Sequence, residues 1–122
     1  MRTSAIIIGV AVAALTAGVG IAQGPPPAPK PETVASRPEA TGGQKLYLEH
    51  CAMCHVENGM GTGLLARRVD EPLLEKRKGL GARYVIAAVR TGIGNMPAVP
   101  RGELSDADLQ AIADYLAAGP HS

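Results

Sequence analysis

The chain has 122 residues, with 12 Lys or Arg against 11 Asp or Glu and a formal net charge of +1. That length allows one domain at most. The charge balance excludes nucleic acid as a partner, because phosphate binding draws its affinity from a basic excess.

Residues 1–22 read as a signal peptide. Arg2 supplies the early positive charge, an uncharged run follows from Ala5 to Ile21, and Gly20-Ile21-Ala22 offers small residues at a cleavage position. The competing reading is an uncleaved membrane anchor, since 17 uncharged residues are marginally long enough to span. No cysteine follows the run closely, which excludes a lipoprotein anchor. An exported chain of this kind is expected in the periplasm. Without residues 1–22 the basic and acidic side chains are equal in number.

Residues 23–40, rich in proline, have little to bury and are expected to form an extended linker. The folded domain is expected over residues 41–119. Thr41 with Gln44 three positions on reads as a capping box, opening a first helix that delivers Cys51 at its end. Gly43, Tyr47, His50 and Cys51 share one face of that helix. Residues 56–66, "VENGMGTGLLA", carry three glycines and are expected to form a loop. A short helix is expected after Pro72.

"ARYVIAAVRTG" repeats Val85, Ala88 and Val89 at helical spacing and stops at Gly92. "IGNMPAVPRGE" reads as loop. Ser105 caps the last helix with Asp108 at its third position, and Leu104 and Leu109 form a hydrophobic staple. Leu109, Ile112, Ala113 and Leu116 make its buried stripe, ended by Gly119-Pro120. No run alternates as a strand would. The fold class is all-α, with three to five helices and no internal repeat.

Charge is unevenly placed. Seven basic residues lie between Arg67 and Arg90, against Asp70, Glu71 and Glu75; from Glu103 onward there are four acids and no Lys or Arg. The basic stretch could steer docking to an acidic partner, or form ordinary solvated helix faces.

"CAMCH", residues 51–55, holds both cysteines of the chain. A redox dithiol of the thioredoxin type needs a preceding strand and a βαβ pattern, which this sequence lacks. A closed zinc site needs four ligands, and beyond Cys51, Cys54 and His55 only His50 or His121 are on offer, at unsuitable spacings. Covalent haem accounts for every position. The two thiols add to the two porphyrin vinyl groups, and His55 is held against one face of the ring to ligate iron. One motif means one haem c per chain. There is no Phe or Trp and only three Tyr, so aromatic burial is scarce. A haem would supply the apolar bulk that a small domain lacks.

The second iron ligand is sought among Met53, Met60, Met96, His50 and His121. Met53 and His50 are tied to the attachment segment, Met60 lies five residues past His55, and His121 is terminal. Met96 stands 41 residues beyond His55 in "GNMPAVP", where Gly92 and Gly94 permit close approach and Pro97 stiffens the turn. The expected ligands are therefore His55 and Met96. Leu64, Leu65, Val85, Val89 and Ile93 are expected to line the pocket.

Residues 41–118 taken together resemble a class I cytochrome c. The likeness rests on Gly43 and Tyr47 ahead of "CAMCH", a late Met-Pro loop, and the final "AIADYLA". It implies a fold wrapped around one covalent haem, with the first and last helices crossing at a Gly–aromatic contact of Gly43 and Tyr115. "GTGLLARR", "VRTGIGNMPAVP" and the short length resemble the cytochrome subunits of p-cresol methylhydroxylase-type flavocytochromes. That narrower likeness implies a flavin-dependent dehydrogenase as partner. Such cytochromes commonly place a proline carbonyl against the ligand histidine. "GMGTGLL" has no proline, so the carbonyl of Thr62 or Gly63 is expected to take that role.

The expected function is electron transfer between redox proteins. No catalytic Ser/His/Asp set, phosphate loop or acid–base pair is present. The alternative from another class is a haem sensor or small haem enzyme, which needs an open iron site.

Overall fold

The computed structural model describes residues 24–25 and 32–122. The expected signal peptide and residues 23 and 26–31 of the Pro-rich stretch lie outside the described residues. Five helices follow in order: α1 Gly42–His50, α2 Ala52–His55, α3 Met60–Leu65, α4 Ala82–Thr91 and α5 Asp106–Ala117. Two 3-10 turns, Val34–Ser36 and Leu74–Lys76, complete the regular structure. The second is the short element expected after Pro72. No β-strand occurs among the described residues; Ile93 and Met96 form one isolated bridge. The all-α class is borne out.

The best-signalled helix forms as its sequence dictates. Ser105 Oγ accepts the Asp108 N–H at 3.1 Å and donates to Asp108 Oδ2 at 2.6 Å, while Asp106 and Asp108 put negative charge at the positive helix end. Leu104 and Leu109, 3% and 1% exposed, close the staple. Leu109, Ile112, Ala113 and Leu116 are all buried, each large aliphatic stabilising the fold by about 1.5–3 kcal/mol. α5 packs against α1 and α4. Gly43 lets α1 and α5 meet: a Cβ there would lie 2.2 Å from Ala111 O and 2.7 Å from Tyr115 Cβ.

Three expectations are corrected. Thr41 precedes α1 with the extended backbone of a cap, but its side chain makes no capping hydrogen bond, and the first helical residue, Gly42, takes φ +53°. The face shared by Gly43, Tyr47, His50 and Cys51 is not evenly covered: His50 is exposed, and the buried residues of α1 are Tyr47 and Leu48. The glycine-rich 56–66 stretch contains helix α3. Two glycines cost such a short helix about 1 kcal/mol each, so tertiary contacts hold it.

The packed unit also begins before Thr41. Ala40 is 5% exposed, Val34 packs on the core, and Arg37 pairs with Glu75 at 2.7 and 3.0 Å and with Glu32. The same Glu75 accepts the Tyr115 hydroxyl at 2.5 Å, and its backbone carbonyl accepts the His121 N–H at 2.7 Å. His121 stacks on Tyr115 with ring centroids 4.0 Å apart. One carboxylate thus gathers the segment before α1, the middle loop and the end of α5.

Candidate haem-binding site

The CAMCH segment is a single helical turn. Cys54 N–H and His55 N–H both donate to Cys51 O, at 3.1 and 3.0 Å. Cys51 and Cys54, three positions apart, are therefore neighbours on one helical face, and both are unpaired thiols, not a disulfide. The turn is anchored from α1: the Cys51 N–H donates to Tyr47 O at 2.8 Å, and the fully buried Tyr47 hydroxyl donates to His55 O at 3.1 Å. Burial, with a smaller effect from Cys54, pushes the Cys51 thiol up to about 11. Burial also lowers the basicity of His55, favouring the neutral imidazole that binds metals.

A groove of about 330 Å³ opens beside this turn. Cys54 and His55, Leu64 and Leu65 of α3, and Ile93, Met96 and Pro97 of the later loop all line it. Met96 is held in a tight turn: Ile93 N–H donates to Met96 O and Met96 N–H to Ile93 O, both at 3.0 Å. Upstream, Gly92 takes φ +73°, and a Cβ there would stand 2.8 Å from Met96 O. Met96 is half-buried and packs against the core.

The other candidate ligands are placed elsewhere or more loosely. Met53 is 91% exposed, His50 is exposed, and neither lines the groove. His121 is engaged with Tyr115. Met60 touches the groove but is 69% exposed.

Of the expected pocket residues, Leu64, Leu65 and Ile93 line the groove; Val85 and Val89 do not. They lie on the stripe of α4 buried in the core, 7% and 5% exposed, and Tyr84 on the adjacent face reaches the groove instead. Arg68 and Arg77 also reach it. They were legible only as members of the basic stretch. Arg90, counted in that stretch too, turns inward onto the loop that carries Met96 and is 14% exposed.

The expected carbonyl partner for His55 is not realised. Its Nδ1 is buried with no hydrogen-bond partner, and Thr62 O accepts the Ala66 N–H at 2.9 Å. Gly61 explains how the ring is accommodated: a Cβ there would lie 3.0 Å from His55 Cε1 and 2.8 Å from Cys54 O.

The residues fit a covalently held haem. Cys54 and His55 line an apolar groove, Cys51 is an unpaired thiol on the same helical turn, and the half-buried His55 ring has its Nδ1 unsatisfied. Among the described residues no three Cys, His, Asp or Glu converge as a zinc clamp would require.

Comparisons with known proteins agree. Residues 38–116 match the family described as cytochrome C oxidase, cbb3-type, subunit III. The 4-cresol dehydrogenase [hydroxylating] cytochrome c subunit of Pseudomonas putida is 37% identical over 78 residues, covering 64% of this chain and 60% of that one. Thiosulfate dehydrogenase of Stutzerimonas stutzeri (strain A1501) is 34% identical over 77 residues, covering 61% of this chain and 25% of that protein. The chain thus spans less than two thirds of the length of either curated relative. No solved structure matches.

Proposed function

The chain belongs to the cytochrome c oxidase, cbb3-type, subunit III family of c-type cytochromes, whose cofactor is haem c, and on that premise we propose that it is an exported electron carrier serving a dehydrogenase. Cys51 and Cys54 would hold the porphyrin as thioethers, and His55 and Met96 would supply its iron with a nitrogen and a sulfur ligand. The haem supplies a one-electron ferric/ferrous couple. The single observation that carries this reading is one groove lined both by Cys54 and His55 of the attachment turn and by a half-buried Met96 from 41 residues further along the chain.

A neutral His55 imidazole gives a nitrogen ligand, and the Met96 thioether favours the ferrous state and so raises the potential. With His55 and Met96 both given to the iron, the haem would exchange electrons rather than bind substrate. Its reaction partners are redox proteins, and the periplasm is its place of work. Kinship with the cytochrome c subunit of 4-cresol dehydrogenase supports a dehydrogenase as the donor, and the resemblance to flavocytochrome subunits implies a flavin-dependent one. The rim of the groove, with exposed Met60 and Ile93 and the guanidinium of Arg68, is the surface such a donor meets.

Purification from the native periplasm at low salt tests the role. Equimolar flavin in the haem-containing fraction is expected for a bound dehydrogenase subunit. Haem alone in a monomeric fraction makes the chain a mobile carrier. A protein that carries no covalent haem overturns the proposal.

A further inference from the structure

Between α4 and α5 the chain returns through residues 93–104, the stretch that carries Met96. One guanidinium ties three points of that return together. Arg90 Nη1 donates to Val99 O at 2.9 Å; Nη2 donates to Leu104 O at 2.9 Å and to Asp106 Oδ1 at 2.8 Å. Val99 is held at both its polar groups, since its N–H donates to Val89 O at 2.8 Å. Arg101 Nε donates to Asp106 Oδ2 at 2.7 Å and keeps that carboxylate turned toward the cluster. Met96 therefore sits on a short span pinned at Gly92 on one side and at Val99 on the other.

We propose that Arg90 is a positioning residue for Met96, holding the loop closed so that the thioether stays on the iron. The inference rests on the reading that Met96 is the second ligand. Its physical basis is the cost of holding a loop in one conformation. Each ordered residue gives up backbone freedom, and a thioether bond to iron must hold against that loss unless the loop is fastened independently. Charge-assisted bonds to two carbonyls and a carboxylate supply such a fastening. Only a planar fork presents donors to all three acceptors at once; a lysine ammonium would reach fewer of them. Arg90 does not line the groove, and its hydrogen bonds go to the chain return, so its effect is on the loop.

The test uses the haem-loaded ferric protein and imidazole as the competing ligand. Wild type, Arg90→Gln, Arg90→Lys and Leu116→Ala are compared by the rate at which imidazole displaces Met96, followed by loss of the far-red sulfur-to-iron absorption band. Arg90→Gln is expected to accelerate displacement on the order of 10- to 100-fold, the factor set by losing hydrogen bonds from a charged donor. Arg90→Lys should fall between it and wild type. Leu116→Ala, which loosens the core away from the loop, should change the rate much less. A wild-type rate in Arg90→Gln, or an equal acceleration in Leu116→Ala, overturns the inference and leaves Met96 as ligand. Absence of the sulfur band in the wild type overturns the ligand reading, and this inference with it. If Arg90→Gln does not mature, Arg90→Lys carries the same comparison.

Discussion

Gly43 and Ala111 bring α1 and α5 together backbone to backbone, so closely that a Cβ on Gly43 would stand 2.2 Å from Ala111 O. The obstructing atom belongs to a helix backbone and cannot swing aside as a flexible side chain would. Gly43→Ala must therefore push the two helices apart or strain them, costing about 1–3 kcal/mol. Denaturant unfolding of the haem-loaded protein should show the loss as a lower midpoint. An unchanged midpoint would mean the helices do not approach this closely.

Two glycines of α3 should behave oppositely. Gly61→Ala places its Cβ 3.0 Å from His55 Cε1, whereas a Cβ on Gly63 meets nothing within 4 Å. Gly61→Ala should displace the imidazole, seen as moved paramagnetically shifted His55 proton resonances and an altered reduction potential. Gly63→Ala should leave both in place and stabilise the helix by about 1 kcal/mol at most. Identical spectra for the two variants would remove the Gly61–His55 contact from the account.

Met96→Ala separates a closed carrier from an open-site haem sensor or enzyme. Loss of the thioether should lower the reduction potential and let cyanide or carbon monoxide bind readily. A variant with wild-type potential and ligand affinity would show that Met96 is not on the iron.

Glu75 makes stability depend on pH. Burial works to raise its pKa, but hydrogen bonds from Arg37 and Tyr115 outweigh that and hold it below the ordinary carboxylate value. A folded pKa below the unfolded one means that the contribution is present above the ordinary value and lost as pH falls through the folded one. Glu75→Gln should cost on the order of 1–3 kcal/mol at neutral pH, because the carboxylate side chain is largely buried and accepts from Arg37 and Tyr115. Urea titrations should show the gap to wild type closing below about pH 4. A gap that stays constant into acid would assign the loss to packing.

Electron delivery from an acidic dehydrogenase should slow severalfold as ionic strength rises, because Arg68 and Arg77 lie at the groove. Stopped-flow reduction across a salt series reads this directly. A rate indifferent to salt would take the arginines out of docking.

What the sequence determined by itself was local. CAMCH reads as the haem-attachment site we propose because two thiols and an imidazole at that spacing answer one porphyrin. α5 was legible from cap to stop because its capping box, staple and apolar stripe all lie within neighbouring turns. Met96 stood out by distance along the chain from His55.

Tertiary structure decided what depends on approach between remote segments. "MGTGLL" reads as loop by propensity, yet Gly61 serves close contact with His55, and packing makes a helix of it. The face of α4 turned to the groove belongs to Tyr84 rather than Val85 and Val89, because α5 claims the apolar stripe. Arg37 and Ala40 looked like linker until Glu75 and the core were folded against them. Arg90 looked like one more surface charge until the return of the chain set two carbonyls and Asp106 within its reach. Periodicity records which residues prefer burial, but it carries no information about which distant backbone will arrive to meet them.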